Sequence, residues 1–244
     1  MTIQLQDRKQ LTHTVTCQDC QVKDFCMPAN ASESDVAAAS NMVQLRRKIK
    51  KGSRLFKVGT NFHAVFNIRT GFFKTTNESE SGEVNILGFH MQGNSLGLDG
   101  FSHNRYLSDA VALEDSEVCV IPYEEIEQLS RQSPQFQRHF FQRLTHEFIR
   151  GNSAYQFLNK KASLERVASF IQLQSHQFRI RGFSRHELLL RMSRIDMADY
   201  LGLTKETVSR SLAKLISNGL IAVKLRHVQI LNEAALLRLT GNQA

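Results

Sequence analysis

Between Val43 and Ile121 the chain is built from short apolar runs separated by glycines. Val65-Phe66-Asn67-Ile68, Val84-Asn85-Ile86-Leu87 and Val118-Cys119-Val120-Ile121 each have the length of a strand, and Gly52, Gly59, Gly71, Gly82, Gly88, Gly93 and Gly97 punctuate the interval. Short strands with regular turn signals predict an antiparallel sandwich or barrel. After Pro122 the pattern turns helical. Pro134 suits the first position of a helix. Phe141, Leu144, Phe148, Tyr155 and Leu158 then recur at spacings of three, four, seven and three, with Gly151 in the missing position. Such a stripe serves either as the face that a helix lays on its own core or as the seam of a paired helix. Glycine fills no hole and costs about 1 kcal/mol of helix propensity, so a pair formed through this seam is expected to be weak. Before the strands, a short helix is expected from Ser32 or Ser34 through Ala37–Ala39, and residues 1–16 are expected to be poorly ordered.

The last third has a second helical pattern. Ser193-Arg194-Ile195-Asp196 has the spacing of a capping box, and the helix it opens breaks at Gly202-Leu203. Thr204 caps the next helix, Lys205 to Ser217, which Asn218-Gly219 closes. Two short helices around a tight glycine turn predict a helix-turn-helix. In the second helix Val208, Leu212, Leu215 and Ile216 are expected to face inward. Lys205, Glu206, Ser209 and Arg210 project from the other side near its N-terminal end, which in this motif reaches base edges. Arginine grips guanine with two hydrogen bonds, glutamate accepts from cytosine, and serine is more permissive. Glu206, Ser209 and Arg210 are therefore the candidate base readers. Thr204, Lys205 and Thr207 are candidate backbone contacts. Residues 222–230 read as a hairpin whose basic tip, with Lys224 and Arg226, would lie on phosphates without reading sequence.

Charge sharpens this division. The chain carries a formal +8, and residues 160–244 hold all of it, with 14 Lys+Arg against 6 Asp+Glu; the remainder has 17 of each. A basic module on a neutral one suggests a nucleic-acid-binding end. The chain has no apolar run of membrane-spanning length and its N-terminus lacks the apolar core of a signal peptide, so a reducing cytoplasm is expected. The histidines have no metal-ligand spacing, and nothing ties Ser, His and Asp into a catalytic set, so no enzyme is expected.

Four cysteines remain: Cys17, Cys20 and Cys26 as C-x2-C-x5-C, and Cys119 far downstream on an expected strand. In a reducing compartment such thiols are ligands or redox groups rather than structural disulfides. They complete a ligand set for a [4Fe-4S] cluster or for zinc, and a thiol redox switch is a third possibility. Zinc sites more often use two short Cys pairs, and this chain has one.

The run Leu203-Thr204-Lys205-Glu206-Thr207-Val208-Ser209-Arg210 resembles the Glu-x-x-Ser-Arg reading motif of the CRP/FNR superfamily of bacterial transcription regulators. Gly182-Phe183-Ser184, Asp199-Tyr200-Leu201-Gly202, Gly88-Phe89-His90, Leu158-Asn159-Lys160-Lys161 and the cysteine layout are similar to its FNR branch. The resemblance covers nearly the whole chain. It implies an α+β protein: a cysteine-rich cluster-binding segment (1–30), a jelly-roll antiparallel β-barrel sensor domain (31–133), a dimerisation helix (134–160) and a winged helix-turn-helix (161–244).

The resemblance further implies that Cys17, Cys20, Cys26 and Cys119 hold an oxygen-labile [4Fe-4S] cluster. The intact cluster would favour a homodimer that binds a TTGAT-N4-ATCAA-type palindrome, touches RNA polymerase, and activates or represses genes of anaerobic metabolism. A zinc-stabilised or thiol-switched DNA-binding protein is the alternative. Members that bind cyclic nucleotides carry a Gly-Glu pair and an Arg-Ser pair. Here the stretches read Ser95-Leu96-Gly97-Leu98-Asp99-Gly100 and Arg105-Tyr106-Leu107-Ser108, without the glutamate and with Arg105 and Ser108 apart, so no nucleotide effector is expected.

Overall fold

Successive residues of a strand face opposite sides, and two strands carry this alternation through the N-terminal part of the chain. Phe66 and Ile68, with Val118 and Val120, enter one apolar core, while Val65 and Ile121 enter another on the opposite face. The computed structural model describes residues 17–26, 33–43, 45–79, 82–158 and 162–241, with only the backbone of 25, 34, 35 and 152–158. It divides into two units, Met1–Arg150 and Gly151–Ala244. That division lies within the long helix, ahead of the expected boundary after residue 160. The expected disordered stretch, residues 1–16, lies outside the described residues.

In the first unit a 3-10 turn at Cys17–Asp19 leads to α1 (Lys23–Cys26) and α2 (Glu33–Met42). The strands follow: β1 (Leu45–Ile49), β2 (Arg54–Phe56), β3 (Ala64–Thr70), β4 (Phe72–Glu78), β5 (Val84–Met91), β6 (Ser95–Leu96), β7 (Asp109–Ala112) and β8 (Ser116–Pro122). They pair antiparallel in two four-stranded sheets, β1-β8-β3-β6 and β2-β7-β4-β5. The expected jelly-roll architecture is present as two sheets sharing a core rather than as one closed ring. Phe56, Phe66 and Phe73 fill that core with Tyr106, which stacks on Phe56 at 4.2 Å and donates its hydroxyl proton to Ala64 O at 2.9 Å.

The outer face of the first sheet is covered by helices. Ala39 and Met42 of α2, Ile126 of α3 (Tyr123–Gln132), and Phe136 and Phe140 of α4 (Pro134–Leu158) pack against Val65 and Ile121. Beyond Phe140 the inward stripe of α4 becomes polar. Arg143 Nη2 donates to Gly93 O at 3.2 Å and Ser95 Oγ at 2.9 Å, and Glu147 Oε1 accepts from Asn94 Nδ2 and Ser95 N at 3.3 and 3.4 Å. Arg150 pairs with Glu147 at 2.7 Å and donates to Phe89 O and His90 Nδ1.

The second unit holds α5 (Ser163–Arg179), β9 (Glu187–Leu189), α6 (Arg194–Leu201), α7 (Lys205–Ser217), β10 (Ile221–Lys224), β11 (His227–Ile230) and α8 (Glu233–Thr240). The expected capping box is present: Ser193 Oγ accepts from Asp196 N, and the Asp196 carboxylate accepts from Ser193 N. Gly202, at φ 61°, makes the left-handed turn after α6. The hairpin is part of a three-stranded sheet, because β9 pairs with β11. Among the described residues no helix is long and apolar enough to cross a membrane.

His90 gives the first unit a pH dependence. Arginine donates only, so Arg150 fixes Nδ1 as acceptor and leaves Nε2 to donate to Thr75 Oγ1 at 2.9 Å. Burial, and secondarily the Arg150 charge, hold its pKa well below the ordinary value of 6.5. The unfolded imidazole takes up a proton below about pH 6.5 and the folded one does not. Stability present above that pH is therefore lost as pH falls. Between pH 6.5 and 5.5, urea unfolding should show the wild type losing about 1 kcal/mol more than His90→Gln; equal losses would contradict this assignment.

Candidate cysteine centre and DNA-reading surface

The cysteine segment is a run of tight turns. Cys20 N donates to Cys17 O at 3.3 Å, Lys23 N to Cys20 O at 3.0 Å, and Cys26 N to Val22 O at 3.2 Å. Val22 is buried and anchors the segment. Ser40 of α2 takes the Cys17 N–H at 3.0 Å while donating to Val36 O. The spacing of these cysteines thus follows from one helical turn and its lead-in.

Cys119 comes from the sheet. On β8 it lies opposite Arg46 of β1 and Asn67 of β3, and Asn67 in turn lies opposite Ser95 of β6. Residues directly opposite across strands share a face. The row Arg46–Cys119–Asn67–Ser95 therefore runs across the whole sheet on the side where the cysteine segment docks.

All four cysteines line one cavity of about 130 Å³, with Arg46, Asn67, Arg69, Ser95, His139 and Arg143 among its walls. The thiols are free. Burial pushes the Cys26 thiol up to about 12, against the Arg143 charge and with a further push from the other cysteines. Burial likewise pushes Cys119 up to about 11, against Arg46. Left to themselves these two stay protonated, so metal binding here must displace protons.

Among the described residues no three Cys, His, Asp or Glu side chains converge on one ion. The cavity also carries guanidinium groups, and among the described residues the buried Nε of Arg69 has no hydrogen-bond partner. This donor set and this charge suit a group that is bulky and, once four thiolates are bound, anionic. An iron–sulfur cluster is such a group.

The expected seam residues divide. Phe141 and Phe148 are 58% and 68% exposed on the solvent side of α4, and Ile149 beside them, unmarked by the spacing, is exposed as well. Leu144 is half-buried and lines the cysteine cavity, so it faces its own sheet. A Cβ added at Gly151 would meet no atom of the described residues within 4 Å. Tyr155 and Leu158 fall in α4, but their side chains lie outside the described residues.

In the second unit Thr204 Oγ1 accepts from Thr207 N at 3.2 Å and caps α7. Val208, Leu212 and Leu215 are buried as expected. Ile216 is 43% exposed, a correction to its inward assignment, because the buried face of α7 is centred on Val208, Ser211, Leu212 and Leu215 and leaves Ile216 at its flank. Lys205, Glu206, Ser209 and Arg210 are exposed together, Ser209 Oγ donating to Lys205 O and Arg210 Nη2 to Thr207 Oγ1. Lys224 is exposed on the hairpin, and Arg226 donates to Arg191 O at 3.0 Å, which ties the hairpin tip to the entry of α6.

Comparison with known proteins places this geometry. Residues 46–133 match the family model of a cyclic nucleotide-binding domain, and residues 165–239 that of a Crp-like helix-turn-helix domain. The "Fumarate and nitrate reduction regulatory protein" of Yersinia pestis is 36% identical over 230 residues, covering 94% of this chain and 92% of its own. The "Transcriptional activator protein anr" of Pseudomonas aeruginosa is 37% identical over 227 residues, covering 93% of each. The solved structure of FixK2 from Bradyrhizobium japonicum is similar with a TM-score of 0.73 at 26% identity, covering 82% of this chain and 97% of that one.

The hairpin tip stores strain. Leu225 has φ 57° and is 87% exposed. A left-handed backbone costs a residue with a side chain about 1–2 kcal/mol, and glycine escapes that cost. Leu225→Gly should therefore raise the thermal unfolding midpoint; a lowered midpoint would mean that the leucine side chain stabilises the tip.

Proposed function

The chain belongs to the CRP/FNR family of transcription regulators, and we propose that it is a cytoplasmic, oxygen-responsive member that holds an oxygen-labile [4Fe-4S] cluster through Cys17, Cys20, Cys26 and Cys119. The observation that carries this reading is the shared cavity. Three thiols from the N-terminal segment and one from β8 meet in it, beneath the helix whose outer side exposes Phe141, Phe148 and Ile149. Bound there, the cluster would supply iron–sulfur bonds that oxygen breaks.

The protein's own residues do the rest. Cys119 fixes the site to the sheet, and the other three cysteines draw residues 17–26 onto the face that also receives α4. With that face filled, α4 holds the register in which Phe141 and Phe148 meet a second copy of the chain. Pairing sets two α7 helices about one DNA turn apart, roughly 34 Å, which a palindromic site requires. Glu206, Ser209 and Arg210 then read bases, with Thr204, Lys205, Thr207, Lys224 and Arg226 on the phosphates. The site is a TTGAT-N4-ATCAA-type palindrome, and the bound dimer touches RNA polymerase to activate or repress genes of anaerobic metabolism. No cyclic nucleotide is needed. Asp99, in the stretch where nucleotide-binding members carry glutamate, accepts from Ser108 Oγ at 2.7 Å, and Arg105 donates to Gly59 O.

Two measurements test the reading. Anaerobically purified wild type should contain about four iron and four sulfide per chain, lose both in Cys119→Ser, and prefer the palindrome to random DNA only when loaded. Zinc without iron would favour the zinc-stabilised alternative, and metal-free protein with redox-dependent binding the thiol switch. Equal affinity for palindrome and random DNA would overturn the assignment of α7. Separately, Gly151→Leu should restore about 1 kcal/mol of helix propensity and fill the seam. The metal-free variant should dimerise more tightly than metal-free wild type in sedimentation equilibrium; an equally weak dimer would count against the seam.

A further inference from the structure

Asn67 stands between the cysteine site and the long helix. Its Nδ2 donates to Cys26 Sγ at 3.7 Å, and its Oδ1 accepts from Ser95 Oγ at 2.7 Å. The pair continues to α4. Arg143 only donates, and its Nη2 donates to Ser95 Oγ at 2.9 Å. Ser95 Oγ in turn donates its proton to Asn67 Oδ1, which leaves the Asn67 amide N–H for the sulfur. The backbone of Ser95 is tied to the same helix, donating to Glu147 Oε1. A continuous hydrogen-bonded path thus runs from a ligand sulfur to two successive turns of α4. Asn67 and Ser95 themselves belong to the sheet row that carries Cys119.

We propose that Asn67 is a positioning residue that couples the Cys26 ligand to α4 through Ser95 and Arg143. The inference rests on the cluster reading above. An N–H donor to a ligand sulfur stabilises the negative charge held there, and hydrogen bonds to sulfur tune iron–sulfur centres. When the Cys26 sulfur carries charge, the Asn67 N–H is held toward it, Ser95 keeps its orientation, and Arg143 keeps an acceptor. When that sulfur swings away, Asn67 loses its partner on one side and Ser95 is free to rotate. Arg143 then keeps only Gly93 O as its acceptor. Coupling of this kind is reciprocal, so a change at Arg143 or Ser95 must be felt at the sulfur.

Ser95→Ala tests this, because it removes one hydroxyl and replaces none of the proposed ligands. In anaerobically reconstituted protein it should alter the visible circular dichroism of the cluster, speed its bleaching in air, and raise the dimer dissociation constant, the last two by about tenfold. Ser95→Thr, which keeps the hydroxyl, should restore wild-type values. Asn67→Leu should match or exceed the alanine variant, and Ser95→Ala should add little to it, since both cut one path. Ser95→Ala and Asn67→Leu with wild-type dichroism, bleaching and dimerisation, in the presence of a loaded wild type, would overturn the coupling alone. A wild type without iron and sulfide would overturn the cluster reading and the coupling together.

Discussion

The register of β8 is the constraint on which the first unit depends. Val118 and Val120 belong to the core between the sheets, and Cys119 between them faces the opposite side. A slip of one residue would exchange these faces, burying the thiol among Phe66 and Ile68 and exposing two valines beneath the helices. Pairing to both β1 and β3 prevents this. The same register sets Arg46 and Asn67 beside Cys119, so the proposed fourth ligand, a charge that opposes burial and a hydrogen-bond donor arrive together.

The helix above that face combines two kinds of contact. Phe136 and Phe140 bury apolar surface and hold the start of α4 to the sheet. Arg143, Glu147 and Arg150 continue the stripe with hydrogen bonds to Gly93, Asn94, Ser95 and His90. Hydrogen bonds exchanged for water contribute little net stability, but they fix orientation. A helix anchored by aromatics at one end and oriented by polar groups further along suits an element whose register is set by its neighbours. On its far side Phe141 and Phe148 stand in solvent, which a lone chain has no reason to prefer.

What could be read beforehand was local. Apolar runs between glycines revealed β3, β5 and β8, Ser193 and Thr204 marked the helix starts, and the C-x2-C-x5-C spacing marked three candidate ligands. The exposed face Lys205, Glu206, Ser209 and Arg210 follows from helical period alone. Three-residue β9 gave no signal, because so short a strand exists only through its partner β11. Spacing placed Leu144 in an outward seam, yet the residue lines the cavity on the side of α4 that meets its own sheet. Asn67 could not be singled out from the sequence. Its role follows from register with Cys119 and Ser95, residues 52 and 28 positions away, and long-range register is not written in local periodicity. The polar stripe of α4 was likewise indistinguishable from an ordinary solvated face.

The central claim is that the state of the cysteine centre decides whether the chain pairs. Sedimentation velocity of anaerobically prepared protein, with iron determined across the boundary and the run repeated after exposure to air, tests it directly. The account predicts a dimer in which iron sediments with the protein, and a monomer without iron after air. The same sedimentation coefficient in both states, with iron lost in the second, would contradict it.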